Sequence, residues 1–193
     1  MKSHFFAYMA RMKHIKRWGI MRNTIEENIQ EHSLQTAMIA HALALIKNKL
    51  FGGDVNPERI MALAVYHEAS EVITGDLPTP IKYFNPKIKQ EYKKIEAIAS
   101  DVIWNMLPEE LKPDYDVLIK SQEDEAENHK IMKASDKICA YIKCIEELKT
   151  GNDGFSKAKE TLEKDIKGLN MQEVDYFMDT FIDSFDLTLD ELN

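Results

Sequence analysis

Apolar and polar positions repeat with the period of helices over most of the chain. Residues 3–16 carry a stripe of Phe6, Met9, Ala10 and Lys13 with Phe5 beside it, which predicts a first helix. Residues 17–30, RWGIMRNTIEENIQ, lose that period and read as a loop. It returns near Glu31, where Leu34, Ala37, Met38, His41, Ala42 and Leu45 follow the i, i+3, i+4 rule of a core-facing helix. Phe51-Gly52-Gly53 ends that segment. Asn56-Pro57 then predicts a helix start, with Asn as N-cap and Pro at the first helical position. The helix it opens, over 57–73, carries Ile60, Leu63, Ala64, His67 and Glu71 on one face.

Gly75-Asp76-Leu77-Pro78-Thr79-Pro80 reads as a rigid turn. A helix over about 87–107 uses Ile88, Tyr92, Ile95, Ala99, Val102 and Met106, and Pro108 and Pro113 break it. A long helix over about 123–149 uses Ile131, Ala134, Ile138, Ile142 and Ile145. Two more follow, one with Phe155, Ala158, Leu162 and Ile166, the other with Tyr176, Phe177 and Phe181. No repeat, low-complexity tract or linker divides the chain, so the pattern predicts one all-α domain over residues 1–193.

Composition narrows the function classes. At 193 residues the chain can bury a sizeable core, and 44% hydrophobic with 30% charged residues argues against disorder. Only 7 Gly and 6 Pro are too few for a turn-rich β protein. A net charge of -8 disfavours a nucleic-acid polymer as partner, because such binding needs a basic face. The i, i+5 spacing of Cys139 and Cys144 on one helix disfavours a disulfide and suits the reduced thiols of a cytoplasmic protein. The N-terminus lacks the apolar run of a signal peptide, and no stretch approaches the ~20 apolar residues of a membrane span.

The informative positions are polar residues on apolar faces. His67 and Glu71 continue the stripe of Ile60, Leu63 and Ala64, and Glu68 sits beside His67. His32 opens the preceding helix, and Asp136 shares an apolar flank with Met132 and Cys139. Each alone reads equally well as a hydrogen-bonded core residue, a cap or an ion-pair partner. Together, His32, His67, Glu68 and Asp136 would suit a divalent ion, which offsets the cost of burying carboxylates and keeps positions open for water and substrate. Arg11, Lys13, His14, Lys16, Arg17 and Arg22 form a basic patch in an acidic chain; solvated helix face and anion site are both open readings of it.

Glu31-His32-Ser33, Tyr66-His67-Glu68-Ala69-Ser70-Glu71 and Ser135-Asp136-Lys137 resemble the signature of HD-domain phosphohydrolases. Arg17-Trp18, EVITGDLPTP (71–80), EYKKIE (91–96), CAYIKCIEEL (139–148) and DYF (175–177) are similar to the bacterial 5′-deoxynucleotidases of that superfamily, and the resemblance covers essentially the whole chain. It implies an HD-type helical bundle, a homodimer, and one divalent ion, Co²⁺ or Mn²⁺ first and Zn²⁺ or Fe²⁺ next. It implies hydrolysis of 2′-deoxyribonucleoside 5′-monophosphates in preference to ribonucleotides. His32, His67, Glu68 and Asp136 match metal ligands, with His32 also against the substrate. Arg17 and Trp18 match the substrate-binding pair, Glu71 the catalytic carboxylate, and Asp76, Leu77, Pro78 and Thr79 the nucleoside loop. One position departs: Glu68 stands where the family has Asp. The alternatives are an HD-family phosphohydrolase for another nucleotide, or, because of this departure, an impaired form that binds metal and nucleotide.

On this reading Arg17 offers a fork of donors to phosphate oxygens. Glu71 orients water or exchanges a proton. Trp18 walls the sugar, and Asp76 accepts a hydrogen bond from the 3′-hydroxyl.

Overall fold

The computed structural model describes residues 2–82, 84–120 and 125–192. The described residues are helical, with one isolated antiparallel bridge, Lys16 to Asn28, in place of any strand. The α-helices are α1 (Phe5–Met9), α2 (Ile29–Leu50), α3 (Pro57–Tyr66), α4 (Glu71–Thr74), α5 (Thr79–Lys82), α6 (Pro86–Trp104), α7 (Lys112–Ile119), α8 (Ala126–Lys149), α9 (Ser156–Lys167) and α10 (Gln172–Phe181). The start expected for the long helix at 123 lies outside the described residues; from Ala126 it runs as expected.

The chain forms two compact units. The first comprises residues 1–22, 26–34 and 65–124. Its core gathers Phe5 and Met9 of α1, Met12, Ile29, Ala69, Val72, Ile103, Leu107 and Ile119. Phe5 is wholly buried and stacks edge-on against Tyr115 at 5.1 Å. Burying such a ring removes apolar surface worth about 1.5–3 kcal/mol.

The second unit comprises residues 23–25, 35–64 and 125–193. Its core packs Leu43 and Ala44 of α2, Ile60 and Ala64 of α3, Ile131, Ile138, Ile142 and Ile145 of α8, Ile166 of α9, and Val174 and Phe177 of α10. A buried ionic cluster fixes one edge of it. The Glu147 carboxylate accepts hydrogen bonds from the backbone N–H of Thr24 (2.8 Å) and Ile25 (3.1 Å), from Asn152 (2.7 Å) and from Lys143, which also donates to the Ile25 carbonyl. Burial alone would raise the Glu147 pKa, but these donors outweigh it and bring it to about 2. Cys139 and Cys144 are buried thiols with no disulfide between them.

Several elements differ from the expectation in instructive ways. The stretch 3–16 is α1 followed by a 3₁₀ turn over Ala10–His14. Helix α2 begins at Ile29, because Asn28 accepts from the backbone N–H of Gln30 and Glu31 (both 3.0 Å) while Glu31 reaches back to Asn28 N–H (3.4 Å), a capping box. The buried face of α2 is Ser33, Thr36, Ala37, Ala40, Leu43 and Ala44, whereas Leu34, Met38 and Leu45 are exposed. On α6, Ile95 and Val102 are likewise exposed while Tyr92, Ala99 and Ile103 are buried. Pro113 sits in the first turn of α7 and so starts a helix instead of breaking one. The helix expected over 57–73 ends at Tyr66, with consequences for the site.

Candidate active site

The frame of the site is a short backbone pairing in the first unit. Arg17 N–H donates to the Glu27 carbonyl (2.9 Å) and Ile29 N–H to the Ile15 carbonyl (3.0 Å). This pairing sets Glu27 opposite Arg17 and starts α2 immediately afterwards. His32 follows in the first turns of α2 and is wholly buried.

After α3 the chain tightens. Ala69 N–H bonds the Tyr66 carbonyl (2.9 Å) and Glu71 N–H the Glu68 carbonyl (3.0 Å), three-residue closures in place of four. The turn 67–70 therefore replaces the continuous helix, and Glu71 opens α4. His67 and Glu68 project together from this turn, with Nε2 of His67 3.3 Å from the Glu68 carboxylate. The His32 and His67 rings lie 5.3 Å apart. A ligand atom from each of His32, His67 and Glu68 falls within 4.8 Å of the others. Nitrogen donors and a carboxylate so close together suit a borderline divalent ion.

The electrostatics are those of a crowded acidic site held by one arginine. Arg17 donates through Nε to Glu27 (3.0 Å) and lies 3.7 Å from Glu68. Burial works against ionising Glu68, but His67, a hydrogen bond from Glu71 and the Arg17 charge together hold its pKa well below the usual carboxylate range. Glu71 goes the other way: burial, then repulsion from Glu68 and Asp76, push it up to about 10. Glu71 therefore carries a proton and donates it to Glu68, the split expected of two carboxylates forced together. Asp76 is raised as well, by burial first, with Arg17 and the Trp18 backbone N–H opposing.

The loop Gly75-Asp76-Leu77-Pro78 continues from there. Gly75 takes a positive φ of 71° to end α4. Asp76, Leu77 and Pro78 are half-buried, and Thr79 is exposed at the start of α5. Two contacts tie the loop to α6: Tyr92 Oη lies 3.4 Å from the Gly75 carbonyl, and Lys82 pairs with Glu96 at 2.8 Å.

Arg17, Trp18, His32, His67, Glu68, Glu71 and Asp76 are thus joined by contacts in one unit. Arg11, Lys13, His14, Lys16 and Arg22 are exposed, so Arg17 alone of the basic patch reaches the site. Asp136 lies half-buried on α8 of the second unit, between Ser135 and Lys137. Sequence reasoning missed Glu27, Lys82 and Tyr92. Glu27 sits in a stretch without periodicity, and only the backbone pairing reveals its place.

The chain matches the family of YfbR-like 5′-deoxynucleotidases over residues 4–185. It is 56% identical over 191 residues to the 5′-deoxynucleotidase of Erwinia tasmaniensis, covering 99% of this chain and 96% of that protein. It is 55% identical over 192 residues to the Vibrio cholerae 5′-deoxynucleotidase, covering 100% and 99%. An HD-domain phosphohydrolase from Listeria innocua superposes with a TM-score of 0.81 at 24% identity, covering 94% of this chain and 88% of that one. A cyanophage S-2L HD phosphohydrolase, bound to dA and one catalytic Zn²⁺ ion, gives 0.65 at 19% identity, covering 92% and 96%. Sequence match, helical fold and the His32–His67–Glu68 cluster agree, and the chain belongs to the YfbR-like 5′-deoxynucleotidase family.

Proposed function

We propose that the protein is a metal-dependent 5′-deoxynucleotidase that hydrolyses 2′-deoxyribonucleoside 5′-monophosphates to deoxyribonucleoside and phosphate, in preference to ribonucleotides. The observation that carries the reading is the meeting of two imidazoles, a carboxylate held in its charged form, and a half-buried arginine around one point. Full-length identity to named 5′-deoxynucleotidases supports the substrate class.

The donor set fits a divalent ion, because Glu68 and its neighbours bury more negative charge than Arg17 alone offsets. His32, His67 and Glu68 would hold it. Asp136 is proposed as the fourth ligand from its place in the Ser135-Asp136-Lys137 motif. An ion held there supplies Lewis acidity and charge neutralisation to a phosphate ester. Imidazole with carboxylate suits Co²⁺ or Mn²⁺ first, and Zn²⁺ or Fe²⁺ next; the cyanophage relative holds Zn²⁺.

Arg17 presents its planar fork to the phosphate oxygens, oriented by Glu27 at Nε. Glu71, protonated and buried, would give its proton to the departing 5′-oxygen and recover one from the attacking water. Trp18 walls the sugar and disfavours a 2′-hydroxyl. Asp76 accepts from the 3′-hydroxyl, with Leu77, Pro78 and Thr79 around the nucleoside and His32 against the phosphate.

The protein acts in the cytoplasm on a small nucleotide, with neither a nucleic-acid polymer nor a membrane as partner; among the described residues no helix is long and apolar enough to cross a membrane. It works as a homodimer, and the exposed Leu34, Met38 and Leu45 on one face of α2 are the surface proposed for pairing. The test is phosphate release from 2′-deoxyadenosine and adenosine 5′-monophosphates by metal-stripped protein, with Co²⁺ or Mn²⁺ restored. Metal-dependent release from the deoxy substrate is expected. Absence of release from both substrates with every metal overturns the reading.

A further inference from the structure

We propose that Glu27 is a positioning residue of this reaction, its single carboxylate fixing Arg17 and Trp18 together and facing the imidazole of His32. The inference rests on the deoxynucleotidase reading above and assigns the part that orders its substrate-binding pair. One carboxylate oxygen accepts from Arg17 Nε at 3.0 Å and from Trp18 Nε1 at 3.1 Å. The other lies 3.9 Å from Nδ1 of His32. That separation is too long for a hydrogen bond, but it places a negative charge beside a ligating ring, where carboxylates commonly orient metal-bound histidines.

The surroundings make this more than a surface ion pair. The side chains of Arg17 and Glu27 are 13% and 12% exposed, against 62% and 71% for the neighbouring Lys16–Glu26 pair on the same bridge. Backbone pairing holds Glu27 opposite Arg17 independently of the side chains. Trp18 has φ of 58°, a left-handed conformation that a bulky residue adopts only when its surroundings impose it. Glu27 holds Trp18 by its indole, and Asp76 holds it by its backbone N–H. A guanidinium engaged at Nε loses rotation about its stem, so its terminal amino groups keep one direction. Glu27 thereby sets both where the phosphate is gripped and where the sugar wall stands.

The test uses Glu27→Ala and Glu27→Gln in the full chain. Glu27→Ala is expected to lower kcat/KM for 2′-deoxyadenosine 5′-monophosphate by ~10- to 100-fold, the cost of a misplacement of about 1 Å, and to narrow the deoxy-over-ribo preference. Glu27→Gln keeps an acceptor for the indole but loses the charge that faces Arg17 and His32, and is expected to recover only part of that loss. In a Trp104→Phe background Trp18 is the sole tryptophan, and its fluorescence is expected to become more quenchable by acrylamide in Glu27→Ala, with or without metal. The Arg17→Ala/Glu27→Ala double variant is expected to be little worse than Arg17→Ala, because residues acting through one another are not additive. Wild-type kinetics in Glu27→Ala, or full additivity in the double variant, overturns the proposal. If Glu27→Ala does not fold, Glu27→Gln decides alone: reduced kcat/KM at an unchanged melting temperature supports it, and unchanged kcat/KM overturns it. A wild-type protein inactive on the deoxy substrate overturns the functional reading instead.

Discussion

Shortening Glu68 by one methylene asks whether this site is built around the longer carboxylate. In Glu68→Asp the oxygens retreat by about 1.5 Å, one carbon–carbon bond. Glu68 now stands 3.7 Å from the Arg17 guanidinium and 3.3 Å from His67 Nε2. With an effective dielectric of about 20, the pairing with Arg17 is worth about 4.5 kcal/mol at the present distance and about 3.2 kcal/mol at roughly 5.2 Å. The difference, about 1.3 kcal/mol, is a factor of ~10. A misplaced ligand can add up to ~100-fold in rate. We therefore expect Glu68→Asp to hold Arg17 less firmly and to lose ~10- to 100-fold in kcat/KM for 2′-deoxyadenosine 5′-monophosphate, with metal affinity followed in parallel by calorimetry. Glu68→Gln, which keeps length and removes charge, should lose more in metal affinity. The reasoning fails if Glu68→Asp equals or exceeds the wild type at every metal concentration. The shorter carboxylate found at this place in the family would then be the competent one, and Glu68 would mark an impaired site.

Other consequences can be checked separately. His67→Ala should abolish metal-dependent phosphate release while leaving the second unit's core intact, read as lost metal binding by calorimetry with a helical circular-dichroism spectrum retained. The Glu147 carboxyl falls from 4.5 to about 2 on folding, so its charge stabilises the fold fully above roughly pH 5, and that contribution drains away as pH drops towards 2. The shift corresponds to about 3 kcal/mol, so urea unfolding of the wild type should weaken between pH 5 and 3 more steeply than that of Glu147→Gln; parallel profiles would refute this. Met38→Glu, on the exposed face of α2, should turn the proposed dimer into a monomer in light scattering; a mass equal to that of the wild type refutes pairing through this face. Phe5→Ala should cost about 3–5 kcal/mol in unfolding free energy, because the ring is wholly buried in the first unit's core.

The helical class and most helix positions are legible in the sequence, because a 3.6-residue period survives any tertiary arrangement. Which face is buried is less legible. Helix α2 has Leu34, Met38 and Leu45 on one side and Ala37, Ala40, Leu43 and Ala44 on the other, and hydrophobicity alone favours the larger residues. The structure instead buries Ile39 and Leu43 together with the three alanines. The helix break at Tyr66 was hidden for a related reason: nothing in His67-Glu68-Ala69-Ser70 forbids a helix, and only the three-residue closures show the turn. The candidate ligands His32, His67 and Glu68, and Glu71 with them, stand out because polar residues on apolar stripes are costly and therefore informative. Glu27 gives no such signal, since its role depends on a pairing between two loop segments.

The departures from simple burial rules converge on one electrostatic requirement. In the first unit Glu27, Glu68, Glu71 and Asp76 surround Arg17, so acidic groups outnumber the strong base that touches them. The protein alone relieves this by leaving the proton on Glu71 and raising Asp76, while Glu68 keeps its charge. A packed core would discard such groups, since apolar residues of similar volume are at least as stable. Their retention makes sense where a divalent cation and a phosphate dianion enter together: the cation answers the carboxylates, and the dianion answers the cation and Arg17. The tightened turn after α3 and the bridge between Lys16 and Asn28 thus act on one problem, bringing His67, Glu68 and Arg17 together in the first unit.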